Sequence, residues 1–144
     1  MIRVLLDTDV VLDYLLDRKP FAEAAGQLWT AGEHNRIEIY VSAATPLNLF
    51  YIAAKLQGAP HARNLVASLL RSCRICTLDQ ATFVAAQNSA LRDYEDAVQA
   101  ITADFYQLDY VVTRNVEDYK GAPVAVIQPA ALATQLTGAN RTGK

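Results

Sequence analysis

The feature that most constrains this chain is a repeating alternation of short strand-like runs with longer stretches of helical spacing. Residues 2–6 (IRVLL), 37–41 (IEIYV), 74–78 (RICTL), 110–113 (YVVT) and 124–127 (VAVI) are short and rich in β-branched side chains. The segments between them place apolar residues at helical intervals, as in Val10, Val11, Tyr14 and Leu15. Parallel strands need a helix-length crossover, so this alternation implies a parallel sheet with helices on both faces. The expectation is therefore a single-domain, three-layer α/β/α fold around a parallel sheet of roughly five strands.

Local punctuation agrees with that frame. Pro20 suits the start of a helix over residues 21–31, and Pro46 is tolerated in the first turn of one over 42–57 that Gly58 stops. Asp79 opens a further helix, and Gln128-Pro129 starts a closing one that should end near Leu136. The domain is placed at residues 1–137, with 138–144 (GANRTGK) as a disordered tail.

At 144 residues the chain can bury a full core. No apolar run is long enough for a membrane span, so a soluble cytoplasmic protein is expected. A formal charge of −2 gives no general attraction for nucleic acid. It does not argue against a nuclease, which can set a few basic residues around an acidic, metal-filled pocket. Cys73 and Cys76 form one CxxC with no further ligands at zinc spacing, and they read as structural thiols.

The acids are unevenly spread. Asp7, Asp9, Asp13 and Asp17 follow the first apolar run, seven more lie between Asp93 and Asp118, and only Asp79 falls between Ile39 and Arg92. Two acidic segments meeting at one place would attract a divalent cation. In parallel sheets ligands bind beyond the carboxyl ends of the strands, near the point where strand order reverses. Asp7 ends the first strand, Thr113 ends the fourth, and Asp118 lies just beyond it.

Each acid also has a plainer explanation. Thr8 or Asp9 can cap the first helix as well as Asp7 can, and Asp13 and Asp17 suit solvent exposure or pairing with Arg18 or Lys19. On the helix opened by Asp93, a turn of about 100° per residue puts Tyr94, Ala97, Val98, Ile101, Phe105 and Leu108 on a core face. Asp93 and Asp96 then share one flank, where Asp93 is either a cap or a site residue and Asp96 is the better candidate ligand. Glu95 points nearly opposite the core and complements the helix dipole. Arg114 is either a phosphate contact or a surface charge.

Taken together, VLLDTDVVLDYLL, VSAATPLNLFYIA, DYEDAVQAITA, VVTRNVEDY and PVAVIQPAAL resemble, in order and over nearly the whole chain, the PIN-domain family of metal-dependent ribonucleases. The similar subgroup includes the VapC-like toxins of toxin–antitoxin modules. The resemblance implies Asp7, Asp96 and Asp118 as family acids, with Thr113 as the small hydroxyl residue before the last. Asp93 joins them provisionally as a metal ligand. Where the family usually carries a glutamate, after the second strand, this chain has Asn48. The resemblance further implies Mg²⁺ or Mn²⁺, an RNA substrate, an antitoxin partner and a homodimer; Arg114 is the candidate substrate contact on its own chemistry.

Two other readings follow from the same residues. A PIN domain lacking the usual glutamate can bind RNA or protein without cutting, and Asn48 favours that. DTDVV also fits the nucleophile motif of haloacid-dehalogenase-type phosphatases. None of Lys19, Lys55, Lys120 and Lys144 sits where that reaction needs its basic residue.

Overall fold

The computed structural model describes residues 1–142. The elements are β1 (Ile2–Leu6), α1 (Thr8–Leu15), α2 (Ala22–Glu33), β2 (Ile37–Ser42), α3 (Thr45–Gln57), α4 (Ala59–Ser72) and β3 (Arg74–Cys76). There follow α5 (Gln80–Gln87), α6 (Tyr94–Phe105), β4 (Tyr110–Val112), a 3₁₀ turn (Val116–Tyr119), β5 (Val126–Ile127) and α7 (Pro129–Thr142). The five strands form one sheet in the order β3-β2-β1-β4-β5, and every pair is parallel. Chain order runs outward from β1 to β3, then returns to place β4 on the other side of β1. The reversal point therefore lies between the carboxyl ends of β1 and β4.

Pleating divides the buried residues between two cores. Val4, Leu6, Ile39, Val41 and Val112 point into a layer with α1, α2, α3, α4 and α7 residues such as Leu12, Trp29, Leu49, Leu69 and Leu132. Leu5, Tyr40 and Val111 point the other way, against Ala86 of α5, Ala97, Ala100 and Ala103 of α6, and Tyr119. The cysteines follow the same division, Cys73 into the first layer and Cys76 into the second, and both are free. Burial pushes each thiol up to about 12, so neither is a ready thiolate nucleophile at neutral pH.

Several local expectations change. Asp7, rather than Thr8 or Asp9, caps α1: its carboxylate accepts from the Asp9 N–H at 3.3 Å. Gly58, at φ +90°, separates α3 from α4 in a backbone region costly for other residues. The last three strands are shorter than their apolar runs, and α7 continues past Leu136 to Thr142. Of the expected tail, residues 143–144 lie outside the described residues. The core face of α6 is also different, with Tyr94 48% and Phe105 51% exposed. The helix lies close to the sheet through Ala97, Ala100 and Ala103, which buries Gln99 and Thr102 on its flanks as well.

Among the described residues, no helix is long and apolar enough to cross a membrane.

Candidate active site

The backbone of β1 sets the first residue of the site. Asp7 continues the strand ladder through its N–H to the Val112 carbonyl at 2.9 Å, so its side chain emerges at the reversal point, only 6% exposed. Four neutral donors converge on its carboxylate. Oδ1 accepts from the Asp9 N–H at 3.3 Å and Gln99 Nε2 at 3.3 Å. Oδ2 accepts from the Thr113 hydroxyl at 2.8 Å and the Tyr119 hydroxyl at 3.2 Å. Those donors come from α1, α6, the end of β4 and the 3₁₀ turn, so one carboxylate ties together every element around the reversal point. A buried charge held by hydrogen bonds alone is satisfied geometrically but not neutralised.

The amino end of α6 brings the other acids. Asp93 caps this helix by accepting from the Asp96 N–H at 2.9 Å, so the cap reading is correct for one of its oxygens. Burial, and then the charges of Asp7, Asp93 and Asp118, push the Asp96 carboxyl up to about 7, against a lowering contact from the Tyr119 hydroxyl. Tyr119 is held protonated by burial and by Asp7 and Asp96, and it stands as a donor between those two acids. Asp118, on the 3₁₀ turn, is exposed and makes no side-chain hydrogen bond or ion pair with the described residues. It lines a cleft of about 410 Å³ with Asp93, Glu117, Arg92 and Lys120.

Glu95 is where the sequence reading fails most clearly. Its carboxylate is half-buried and turned toward the reversal point, where Oε2 accepts from Asn48 Nδ2 at 2.7 Å and the Thr8 hydroxyl at 3.3 Å. Burial first, and then Asp7, Asp93 and Asp9, raise its carboxyl above the ordinary range, with the Thr8 contact acting in the other direction. Gln99 and Tyr119 were also not singled out. Gln99 Nε2 donates to the Tyr119 hydroxyl at 2.7 Å, while its Oε1 accepts from the Thr8 N–H at 3.2 Å. A glutamine one turn beyond Asp96, on the inner part of an apolar helix, was the available signal.

Arg114 is engaged within the protein. Its guanidinium donates to both Asp13 oxygens, at 2.7 and 3.3 Å, and lies 3.9 Å from the centre of the Phe21 ring. Asp13, expected to be solvated or paired, is paired and also buried, at 1% exposure, with Arg18 Nε as a second partner at 3.0 Å.

The donor set suits a hard divalent cation. Every group is an oxygen ligand, no lysine or arginine pairs with Asp7, Asp93, Glu95, Asp96 or Asp118 among the described residues, and burial, then mutual repulsion, raises two of the carboxyls. No three acidic, histidine or cysteine side chains among the described residues converge into a ready-made ligand set. Mg²⁺ keeps several waters and uses one or two carboxylates directly, so a more open arrangement suits it.

A doubly wound parallel sheet with unneutralised acids at its reversal point defines an α/β protein built around a polar site at the strand ends. The family model for the PIN domain matches residues 3–117, and the chain belongs to the PIN-domain family. Its VapC-like subgroup is supported by solved structures. FitAcB from Neisseria gonorrhoeae is 26% identical with a TM-score of 0.66, covering 88% of this chain and 97% of that one. A toxin–antitoxin complex from Klebsiella pneumoniae is 23% identical at a TM-score of 0.65, with 88% and 97% covered. A sarcin–ricin loop cleaving VapC toxin from Mycobacterium tuberculosis is 12% identical at a TM-score of 0.61, with 75% and 86% covered. No curated protein matches the chain.

Proposed function

We propose that this chain is a divalent-metal-dependent endoribonuclease of the toxin type, acting on RNA phosphodiester bonds. The observation that carries the reading is that Asp7, Glu95 and Asp96 are buried or half-buried, with the exposed Asp93 and Asp118 beside them, and none has a cationic partner among the described residues. Asp7, Asp96, Asp118 and Asp93 would hold Mg²⁺ or Mn²⁺, directly or through water. When bound, the ion supplies an activated water and neutralises charge on the phosphate and leaving oxygen, contributions of about several kcal/mol. The chain's own residues provide the rigidity that such chemistry needs. Thr113, Tyr119 and Gln99 fix the Asp7 carboxylate from three elements, and Asp93 fixes the first turn that carries Asp96. Asp118 and Asp93 face the open cleft, where Arg92 and Lys120 give an approaching phosphate backbone its first favourable charges.

The similarity to toxin–antitoxin structures and to a toxin that cleaves the sarcin–ricin loop supports RNA as substrate and an antitoxin as partner. A homodimer belongs to the same reading. Arg114 is proposed as a brace for the loop after β4 rather than as a direct substrate contact, because Asp13 and Phe21 already engage it. The test is cleavage of an RNA panel in Mn²⁺ by the parent and by the Asp7→Asn/Asp96→Asn double variant. Activity confined to the parent is expected. Equal cleavage by both sinks the reading, and absence of cleavage with RNA binding intact favours a non-catalytic domain.

A further inference from the structure

The position of Glu95 carries a further inference, which rests on the metal-dependent reading above. Asn48, on α3, and Glu95, on α6, come from separate segments and meet at 2.7 Å, with the amide donating to Oε2. The Thr8 hydroxyl reaches the same oxygen at 3.3 Å, whereas no hydrogen bond or ion pair among the described residues ends on Oε1. One carboxyl oxygen is thus anchored by two neutral donors and the other is available to a ligand.

The anchoring is continuous with that of Asp7. Gln99 donates to Asp7 Oδ1 and accepts from the Thr8 N–H, and its Oε1 stands 3.4 Å from the same Thr8 hydroxyl that faces Glu95. Thr45 closes the chain from α3, with its hydroxyl 2.9 Å from that of Thr8. Two acids, one at the end of β1 and one on α6, are therefore held in fixed relation by one buried set of neutral side chains. No cation takes part, so the network positions negative charge without neutralising it. An acid at position 48 would face Glu95 as a like charge at hydrogen-bond distance. An amide there donates instead, leaving one negative charge across the contact.

We infer that Glu95 is a ligand of the divalent cation, directly or through one water, and that Asn48 is the residue that positions it. The contact supplies from α6 the carboxylate that α3 lacks. Asn48 then marks a relocation of the charge between two helices, and the site keeps its acidic character.

The experiment is calorimetric titration of the full chain with Mn²⁺ at neutral pH, on the parent, Glu95→Gln, Glu95→Gln/Asn48→Glu and Asp7→Asn. Thermal melts by circular dichroism confirm that each variant is folded. Glu95→Gln should weaken Mn²⁺ binding roughly 10–100-fold, the scale for removing a group in or next to a metal's ligand shell. The exchanged pair keeps one carboxylate and one amide across the same contact, and it should recover most of the lost affinity. Parent-like binding by Glu95→Gln, with Asp7→Asn impaired, overturns this inference and leaves the nuclease reading standing. So does failure of the exchanged pair to rebind. A parent that binds no Mn²⁺ overturns both.

Discussion

Asp7 caps α1 and Asp13 lies within it; both are buried, at 6% and 1% exposure, yet the fold treats their charges in opposite ways. Asp13 is clamped by Arg114 at 2.7 Å and Arg18 at 3.0 Å, with Phe21 stacked beneath one guanidinium. Asp7 receives four hydrogen bonds and no cation. The first arrangement is complete and closes α1 against the loop after β4. The second is satisfied in geometry and incomplete in charge. Burial of an acid is thus no sign of function by itself; what distinguishes the two is whether the protein supplies the counter-charge.

The largest effect that can separate them is on catalysis. Asp7→Asn should lower RNA cleavage roughly a thousandfold, since several kcal/mol of ion-mediated stabilisation are at stake and each decade is about 1.36 kcal/mol. Asp13→Asn should leave cleavage within a few-fold of the parent at temperatures where it is folded. Comparable losses in both, measured on one RNA under single-turnover conditions, would erase the distinction.

Stability should reverse the order. Asp13→Ala strands the Arg114 guanidinium and leaves Arg18 with Asp9 alone, at 3.4 Å, and breaking a buried pair costs about 3–5 kcal/mol. Arg18 and Arg114 side chains keep 37% and 25% exposure and can turn toward water, so the lower end, about 3 kcal/mol, is expected in urea unfolding. A loss below about 1 kcal/mol would reduce the cluster to an ordinary surface pair.

How much of this contrast was legible from residues alone differs by element. Period and turn chemistry disclose the fold, because a β-branched run such as residues 2–6 followed by helical spacing admits few architectures. Asp7 was legible as a strand-end acid, and Asp96 as a polar residue beside a core face. The Asp13–Arg114 pair spans 101 positions, and nothing local marks such a partner. Glu95 was misread because the wheel argument assumes one buried side. The alanines of α6 let it approach the sheet closely, so Gln99 and Thr102 are buried too and the apparent back of the first turn meets α1 and α3.

The unneutralised site should also respond to pH. Asp96 ionises near 7 in the fold against an ordinary 3.8. Below that ordinary value both folded and unfolded chains hold the proton, and no difference arises. Between about 4 and 7 the unfolded chain releases a proton that the fold retains, so stability falls as pH rises, with the full cost above 7. Asp96 is only half-buried, so solvent screening limits this to a few degrees in melting temperature. Asp96→Asn should flatten the decline in metal-free buffer, and Mn²⁺ should stabilise the parent above pH 7 but not the variant. An unchanged pH slope in the variant would show that the repulsion lies elsewhere.

The smallest effect isolates the hydroxyl that stands between the two acids of the open site. Tyr119 donates to Asp7 at 3.2 Å and also contacts Asp96, whose carboxyl it lowers against burial and Asp7. Tyr119→Phe keeps the ring, which is buried with Val111 and Leu108, and removes the hydroxyl that donates to Asp7 and accepts from Gln99 Nε2 at 2.7 Å. Asp7 retains Thr113, Gln99 and the Asp9 N–H, so its position should hold. The Asp96 midpoint should climb further, by about half a unit to one unit. A hydrogen bond to a charged group is worth about 1.5–3 kcal/mol when buried and less at a half-exposed carboxyl, and one unit is about 1.36 kcal/mol. Carboxyl-carbon NMR titration of the metal-free protein reads this directly. A midpoint that stays put or falls would mean that the hydroxyl serves Asp7 alone, leaving Asp96 to depend on burial and on its acidic neighbours.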